Sequence, residues 1–265
     1  MKRVLTALVL IPLVIALVLW APGGLFLLGL LPFVLLALGE YLELAARLGG
    51  LPQPGPVHVA SVLLLLVAHA HFEHLLFALL FCAAVLLTQE MFRRPGLPGV
   101  LPAAAAACFG LLYVALPFAL VVDLRESSRG RLAVLFVVIL VWVGDTAAYY
   151  GGRAVGRRKL APHLSPGKTV EGTVASFLAS VAVGFWLFRT WFPDMPEAHA
   201  GILPAVVNVA GQLGDLTESA LKRGAGVKDS SVLLPGHGGM LDRIDALLFA
   251  LPVMWYYWAF LTLRF

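Results

Sequence analysis

The chain has 265 residues, of which 60% are hydrophobic and only 13% charged, with a formal net charge of +4. A soluble domain runs at about 45–50% apolar and about 25% charged, so this composition excludes a soluble enzyme, a disordered chain and a small disulfide scaffold. The apolar runs are long and continuous, which points to an all-α integral membrane protein and away from a barrel of short alternating strands.

A spanning helix takes about 20 residues. Nine apolar segments follow one another, at 4–21, 24–45, 57–70, 74–90, 99–122, 131–150, 172–192, 200–214 and 243–263. They predict a polytopic transmembrane helical bundle of about nine spans, a single integral membrane domain over 1–265. Lys2 and Arg3 before an apolar run to Trp20 look like a signal peptide. The run is longer than a typical signal core, and only Trp20-Ala21-Pro22 follows it, so an uncleaved first span is expected. The third, fourth and eighth segments are short or interrupted, and a re-entrant hairpin of the third and fourth is an alternative. His69, His71, Glu73 and His74 fall between those two. They have the look of a metal site but read better as a wet interfacial turn. Cys82 and Cys108 sit in apolar runs and read as packing thiols.

Nine spans put the N-terminus and the loops after spans two, four, six and eight on one side. That side carries Lys2, Arg3, Arg47, Arg93, Arg94, Arg153, Arg157, Arg158, Lys159, Lys168, Lys222, Arg223, Lys228 and Arg243, which is 14 of the 19 Lys and Arg. Arg125, Arg129, Arg131, Arg189 and Arg264 fall on the other. The bias places the basic side in the cytoplasm. Residues 1–130 are mainly plain apolar helix. A second half, 145–265, holds the polar residues in two cytoplasmic loops, 151–171 and 215–242.

The first polar stretch runs from Asp145 to Gly172. Asp145 ends an apolar helix, where an acid is costly and by default functional; an arginine-paired structural lock is the alternative. Gly167-Lys168-Thr169 suggests a P-loop, but Pro162 stands where that motif needs its first glycine, and no strand precedes it. A basic, glycine-rich loop still binds phosphates through Lys, Arg and backbone N–H groups.

The second stretch is sharper. Asp215 and Glu218 are three apart, as are Asp242 and Asp245, so each pair shares a helix face. Asp215 would end span eight and Asp242 would start span nine. Two helix ends that meet could converge carboxylates on one hard cation, and Mg²⁺ is held by one or two carboxylates plus substrate phosphates. Lys222, Arg223, Lys228 and Arg243 surround the same place, with phosphate charge as their natural partner. His237-Gly238-Gly239 would make a tight turn allowing close backbone approach. These parts suggest phosphate chemistry at a membrane surface.

At 219–245 the sequence reads S-x-L-K-R-x₄-K-D-x-S-x₂-L-P-x-H-G-G-M-x-D-R-I-D. This closely resembles the signature of the phosphatidate cytidylyltransferase (CDP-diacylglycerol synthase) family. Asp145 to Glu171 resembles a second block of that family, with Ala147, Gly167 and Val170 departing from its common residues. The resemblance implies transfer of CMP from CTP to phosphatidic acid, giving CDP-diacylglycerol and pyrophosphate for phospholipid biosynthesis. It implies Mg²⁺, a K⁺ response in some members, and a homodimer; nucleic acid is not an expected partner. Asp215, Asp242, Lys222, Arg223 and Lys228 are the expected catalytic set, with Asp215, Asp242 and Asp245 on the metal. Lys168, Thr169, Glu171, Ser219, Asp229, His237, Gly238, Gly239, Arg243 and Asp145 are the expected substrate contacts. High Ala, Leu, Pro and Arg usage suits a GC-rich genome, and with this chemistry a bacterial inner membrane. A cytidylyltransferase for another lipid phosphate is the near alternative. A secondary transporter would show inverted repeats and midplane acids, whereas here the acids gather at one face.

Overall fold

A computed structural model describes residues 2–94, 97–231 and 238–264. Its helices in chain order are α1 (Lys2–Leu19), α2 (Gly23–Arg47), α3 (Pro54–Ala70), α4 (Leu75–Arg93), α5 (Val100–Gly110), α6 (Leu116–Glu126), α7 (Gly130–Val155), α8 (Val170–Trp191), α9 (Ala198–Gly224) and α10 (Leu241–Arg264). A π-turn, Leu111–Ala115, joins α5 and α6 into one run. Among the described residues these make nine helical runs, one for each apolar segment of the sequence. Six of them are long and apolar enough to cross a membrane. The protein is an integral membrane protein of helical class.

The fourth segment reaches 22 residues, Phe72–Arg93, once a leading 3₁₀ turn is included, which is long enough to span. His71 and His74 lie exposed around Glu73 in that turn, as an interfacial site would. α9 is 27 residues long. It is less apolar because Asn208, Gln212, Asp215 and Glu218 interrupt it.

The contacts gather the chain into two compact units. One is Met1–Glu126 with Leu221–Ile244; the other is Ser127–Ala220 with Asp245–Phe265.

In the first unit, α2 packs against α3, α5 and α6. Arg125, which the sequence assigns to a loop, is 2% exposed at the end of α6. Its guanidinium lies 4.5 Å from the centroid of Phe26. It donates to Val18 O at 2.9 Å and to Ala21 O. A buried cation is tolerated because these carbonyls and the aromatic face replace its water.

In the second unit α7 and α8 run side by side. Phe136, Phe188, Phe192 and Trp258 meet edge to face, with centroids 4.8–6.5 Å apart. Trp258 Nε1 donates to Ser127 Oγ at 3.0 Å, so the indole is buried with its N–H satisfied.

Both polar loops are more ordered than expected. The stretch 151–171 contains the end of α7, then a two-stranded antiparallel hairpin, β1 (Lys159–Ala161) and β2 (Ser165–Thr169). The stretch expected as a loop from 215 is helical to Gly224, because α9 continues.

Candidate active site

The hairpin is tied to α8 at its base. Thr169 is the N-cap, its hydroxyl accepting from Gly172 N at 3.1 Å. One orphan donor of the helix start is thereby satisfied. Glu171, in the first turn, accepts from Arg157 N at 3.0 Å and Arg158 N at 3.2 Å. Thr169 and Glu171, both expected on substrate, thus shape the base of the hairpin that carries Lys168. Lys168 leaves β2 and its Nζ lies 2.5 Å from Asp215 Oδ2.

Asp215 belongs to a group of three acids. One carboxylate oxygen each from Asp215, Glu218 and Asp245 lies within 4.8 Å of the others. Glu218 is fully buried, and the other two are partly buried. Asp215 and Glu218 share one face of α9, and Asp245 comes from α10. The approach of the two helices depends on Gly214, where an added Cβ would lie 2.5 Å from Asp245 O. Three carboxylates this close repel unless protons or cations sit among them. An all-oxygen donor set of this kind suits a hard divalent cation.

Asp215 and Lys168 line a cavity of about 520 Å³, with Asp145, Tyr149, Arg153 and Gln212 also on its wall. Beside it runs a chain of polar side chains inside the helices. Asn208 Nδ2 donates to Ser176 Oγ at 3.1 Å and Ser180 Oγ at 2.9 Å. Gln212 Nε2 donates to Asn208 Oδ1 at 2.6 Å, and Ser180 Oγ to Leu140 O at 3.0 Å. Sequence reasoning missed this chain. The signal was present as two polar pairs four apart, Ser176 with Ser180 and Asn208 with Gln212, each on one face of an apolar helix.

The remaining site residues belong to the other unit. Lys222 Nζ is ion-paired with Asp242 Oδ1, with side chains only 13% and 9% exposed. Asp242 Oδ2 accepts from Gly239 N at 2.7 Å, Ser230 N at 3.0 Å and Ser230 Oγ at 2.9 Å. Gly238 is left-handed, with φ of 74°. Arg223, Lys228, Asp229 and Arg243 are exposed. Ser219, at the end of the second unit's part of α9, is buried. His237 lies outside the described residues. The sequence grouped Asp242 with Asp215 and Asp245. The structure brings Asp215 together with Asp245 and Glu218, and puts Asp242 in a network of its own with Lys222 and Ser230. Glu40 of α2 joins that network and was not singled out in the sequence.

Apolar helices long enough to span, with clustered acids and lysines, define a polytopic membrane protein with a polar site. The chain belongs to the cytidylyltransferase family, whose model matches residues 1–261. It is 44% identical over 140 residues to the phosphatidate cytidylyltransferase of Haemophilus influenzae, covering 51% of this chain and 49% of that one. It is 42% identical over 153 residues to that of Staphylococcus saprophyticus, covering 57% of each. It is 38% identical over 263 residues to that of Pseudomonas aeruginosa, covering 95% and 94%. The matched part thus spans about half the length of the first two relatives and nearly all of the third. The family resemblance read from residues 219–245 is borne out.

Proposed function

We propose that the protein transfers CMP from CTP to phosphatidic acid, giving CDP-diacylglycerol and pyrophosphate. The observation that carries this reading is the Asp215–Glu218–Asp245 cluster, joined through the Lys168–Asp215 pair to a cavity in a membrane-embedded unit. The names of the relatives supply the substrates.

A lipid phosphate oxygen attacks the α-phosphorus of CTP. A new P–O bond forms, the bond to the bridging oxygen of the β-phosphate breaks, and pyrophosphate leaves. The nucleophile is already an anion, so no strong base is needed. The barrier is the approach of two anions, which fixed positive groups lower. Bound Mg²⁺ would neutralise charge on the triphosphate and the leaving pyrophosphate. Asp215, Glu218 and Asp245 fit it as oxygen ligands, two of them among the three expected from the sequence.

The residues of this chain do the rest. Lys168, held beside Asp215, would turn its ammonium to a substrate phosphate. Lys222, Arg223, Lys228 and Arg243 supply the positive charge for the triphosphate and the lipid head. Glu171 and Thr169 keep the hairpin folded so that Lys168 reaches the cavity. Asp145, Tyr149 and Gln212 on the cavity wall orient the substrate held there. Asp229, Ser219, His237, Gly238 and Gly239, all within the family signature, are the further contacts this reading assigns to the nucleotide. The bilayer holds the acyl chains, and CTP arrives from the cytoplasmic side of a bacterial inner membrane, as the 14-to-5 charge bias suggests. A homodimer, which the resemblance implies, is part of this reading.

The test is turnover by detergent-purified protein given phosphatidic acid, labelled CTP and Mg²⁺, with and without K⁺. Labelled CDP-diacylglycerol and pyrophosphate in equal amounts are the expected result. Folded protein that transfers no label to phosphatidic acid but does so to another lipid phosphate would change the acceptor and keep the chemistry. No transfer to any lipid phosphate would refute the proposal.

A further inference from the structure

Glu40 sits two turns from the C-terminal end of α2, an apolar helix, and is 6% exposed. An acid in such a place is costly unless its oxygens are fully engaged. Here they are. Oε1 accepts from Ser231 Oγ at 2.6 Å and Met240 N at 2.9 Å. Oε2 accepts from Ser230 Oγ at 2.8 Å and Leu241 N at 2.8 Å. Two backbone N–H groups and two serine hydroxyls thus surround its two oxygens, and the single Ser230 proton is shared between Glu40 and Asp242.

The partners come from two stretches, 230–231 and 240–241. Met240 and Leu241 stand at the start of α10. Helix N-termini carry unsatisfied N–H groups and partial positive charge, and Glu40 answers both from another helix. Ser230 Oγ lies between two carboxylates, since it also reaches Asp242 Oδ2 at 2.9 Å. Gly239 N donates to that same Asp242 oxygen. An added Cβ at Gly239 would collide with Ser230 Oγ and the Glu40 carboxylate, so the glycine is required by the closeness of this packing.

We infer that Glu40 is a positioning residue: through Ser230 and the first turn of α10 it holds the Asp242–Lys222 pair in register for substrate phosphates. This rests on the proposed reading that this pair handles phosphate, and it adds a residue outside both polar stretches to the reaction. A cap of α10 alone would leave Asp242 in place when Glu40 changes. The link through Ser230 means that Asp242 shifts with it.

The experiment compares the full-length wild type with Glu40→Gln, Ser230→Ala and the double variant, each assayed well below its own melting temperature. Two quantities are read: kcat against KM for CTP, and the rate at which an N-hydroxysuccinimide ester acylates Lys222, followed by mass spectrometry. We expect kcat to fall by about 10- to 100-fold in each single variant while KM for CTP moves less than about threefold, because misplacement by about 1 Å costs rate before it costs binding. Lys222 acylation should rise at least threefold in each. The double variant should lose no more than the worse single, as expected for residues acting along one path. Unchanged Lys222 acylation in Glu40→Gln, or losses that multiply, would overturn the inference. If Glu40→Gln does not fold, Ser230→Ala decides alone by the same two readouts. The acylation readout needs no turnover, so a wild type that fails to act on CTP and phosphatidic acid would count against the proposed function and leave this inference to stand or fall on Lys222.

Discussion

Lys168 Nζ lies 2.5 Å from Asp215 Oδ2, although the two residues come from different elements, the hairpin strand β2 and the helix α9. The pair joins the basic loop of the first polar stretch to the acids of the second. Side-chain exposures of 26% and 32% mean that solvent screens it, so its value to stability is small, within about 1 kcal/mol. Its value is in placement: an ammonium already stands where a phosphate would arrive, against an acid that a cation would claim.

Replacing Lys168 with Met should therefore leave the fold intact and harm the reaction. KM for CTP is expected to rise at least about tenfold, the loss of one charge-assisted phosphate contact. The melting temperature should stay within a few degrees of wild type. Steady-state kinetics over a CTP series, with a thermal melt alongside, checks both.

Asp245→Asn and Glu218→Gln should each cut kcat/KM by about 10²-fold or more, because each removes a charged oxygen from the same cluster. Raising Mg²⁺ should recover part of the loss if the defect is cation affinity. A Mg²⁺ titration of turnover in both variants measures this.

Gly214→Ala should destabilise the second unit by about 1–3 kcal/mol, the usual cost of forcing an extra methyl into closed packing. The new Cβ would meet Asp245 O, so α10 must move and carry Asp245 away from Asp215. Lower resistance to unfolding in mixed detergent, together with weaker Mg²⁺ dependence, is the expected pair of results.

Asn208→Leu should cost about 1–3 kcal/mol, since Gln212, Ser176 and Ser180 lose their shared partner inside the helices. Asn208→Ser should cost less, because a hydroxyl can keep one of the contacts. Unfolding midpoints of the two variants against wild type decide the order.

Much of the architecture was legible in the sequence because helices that line a bilayer need apolar runs, and each of the nine apolar runs became a helical run, six of them long and apolar enough to span. The hairpin was not legible. Ser165-Pro166-Gly167-Lys168-Thr169 contains Pro and Gly and lacks alternation, so β2 exists because β1 pairs with it and Thr169 and Glu171 fix its base. Asp215 and Asp242 stood out as acids at helix ends, and Asp245 as the acid sharing a face with Asp242. Glu218 was visible on the face of Asp215, but its burial depends on α10 lying against α9, which no local pattern reports. Glu40 meets Ser230 across a sequence separation of 190 residues, and only its position inside an apolar run hinted at a role. Arg125 was misassigned to a loop for a similar reason: the carbonyls of Val18 and Ala21 that bury it are more than 100 residues away.

The most direct test of the account is Mn²⁺ binding, followed by electron paramagnetic resonance on purified protein, because Mn²⁺ takes the same oxygen ligands as Mg²⁺. The wild type should bind Mn²⁺ and release it on Mg²⁺ addition. An Asp215→Asn/Asp245→Asn variant of unchanged helical content should lose that binding by at least about tenfold. Equal Mn²⁺ affinity in wild type and variant would contradict the assignment of the cation to the Asp215–Glu218–Asp245 cluster.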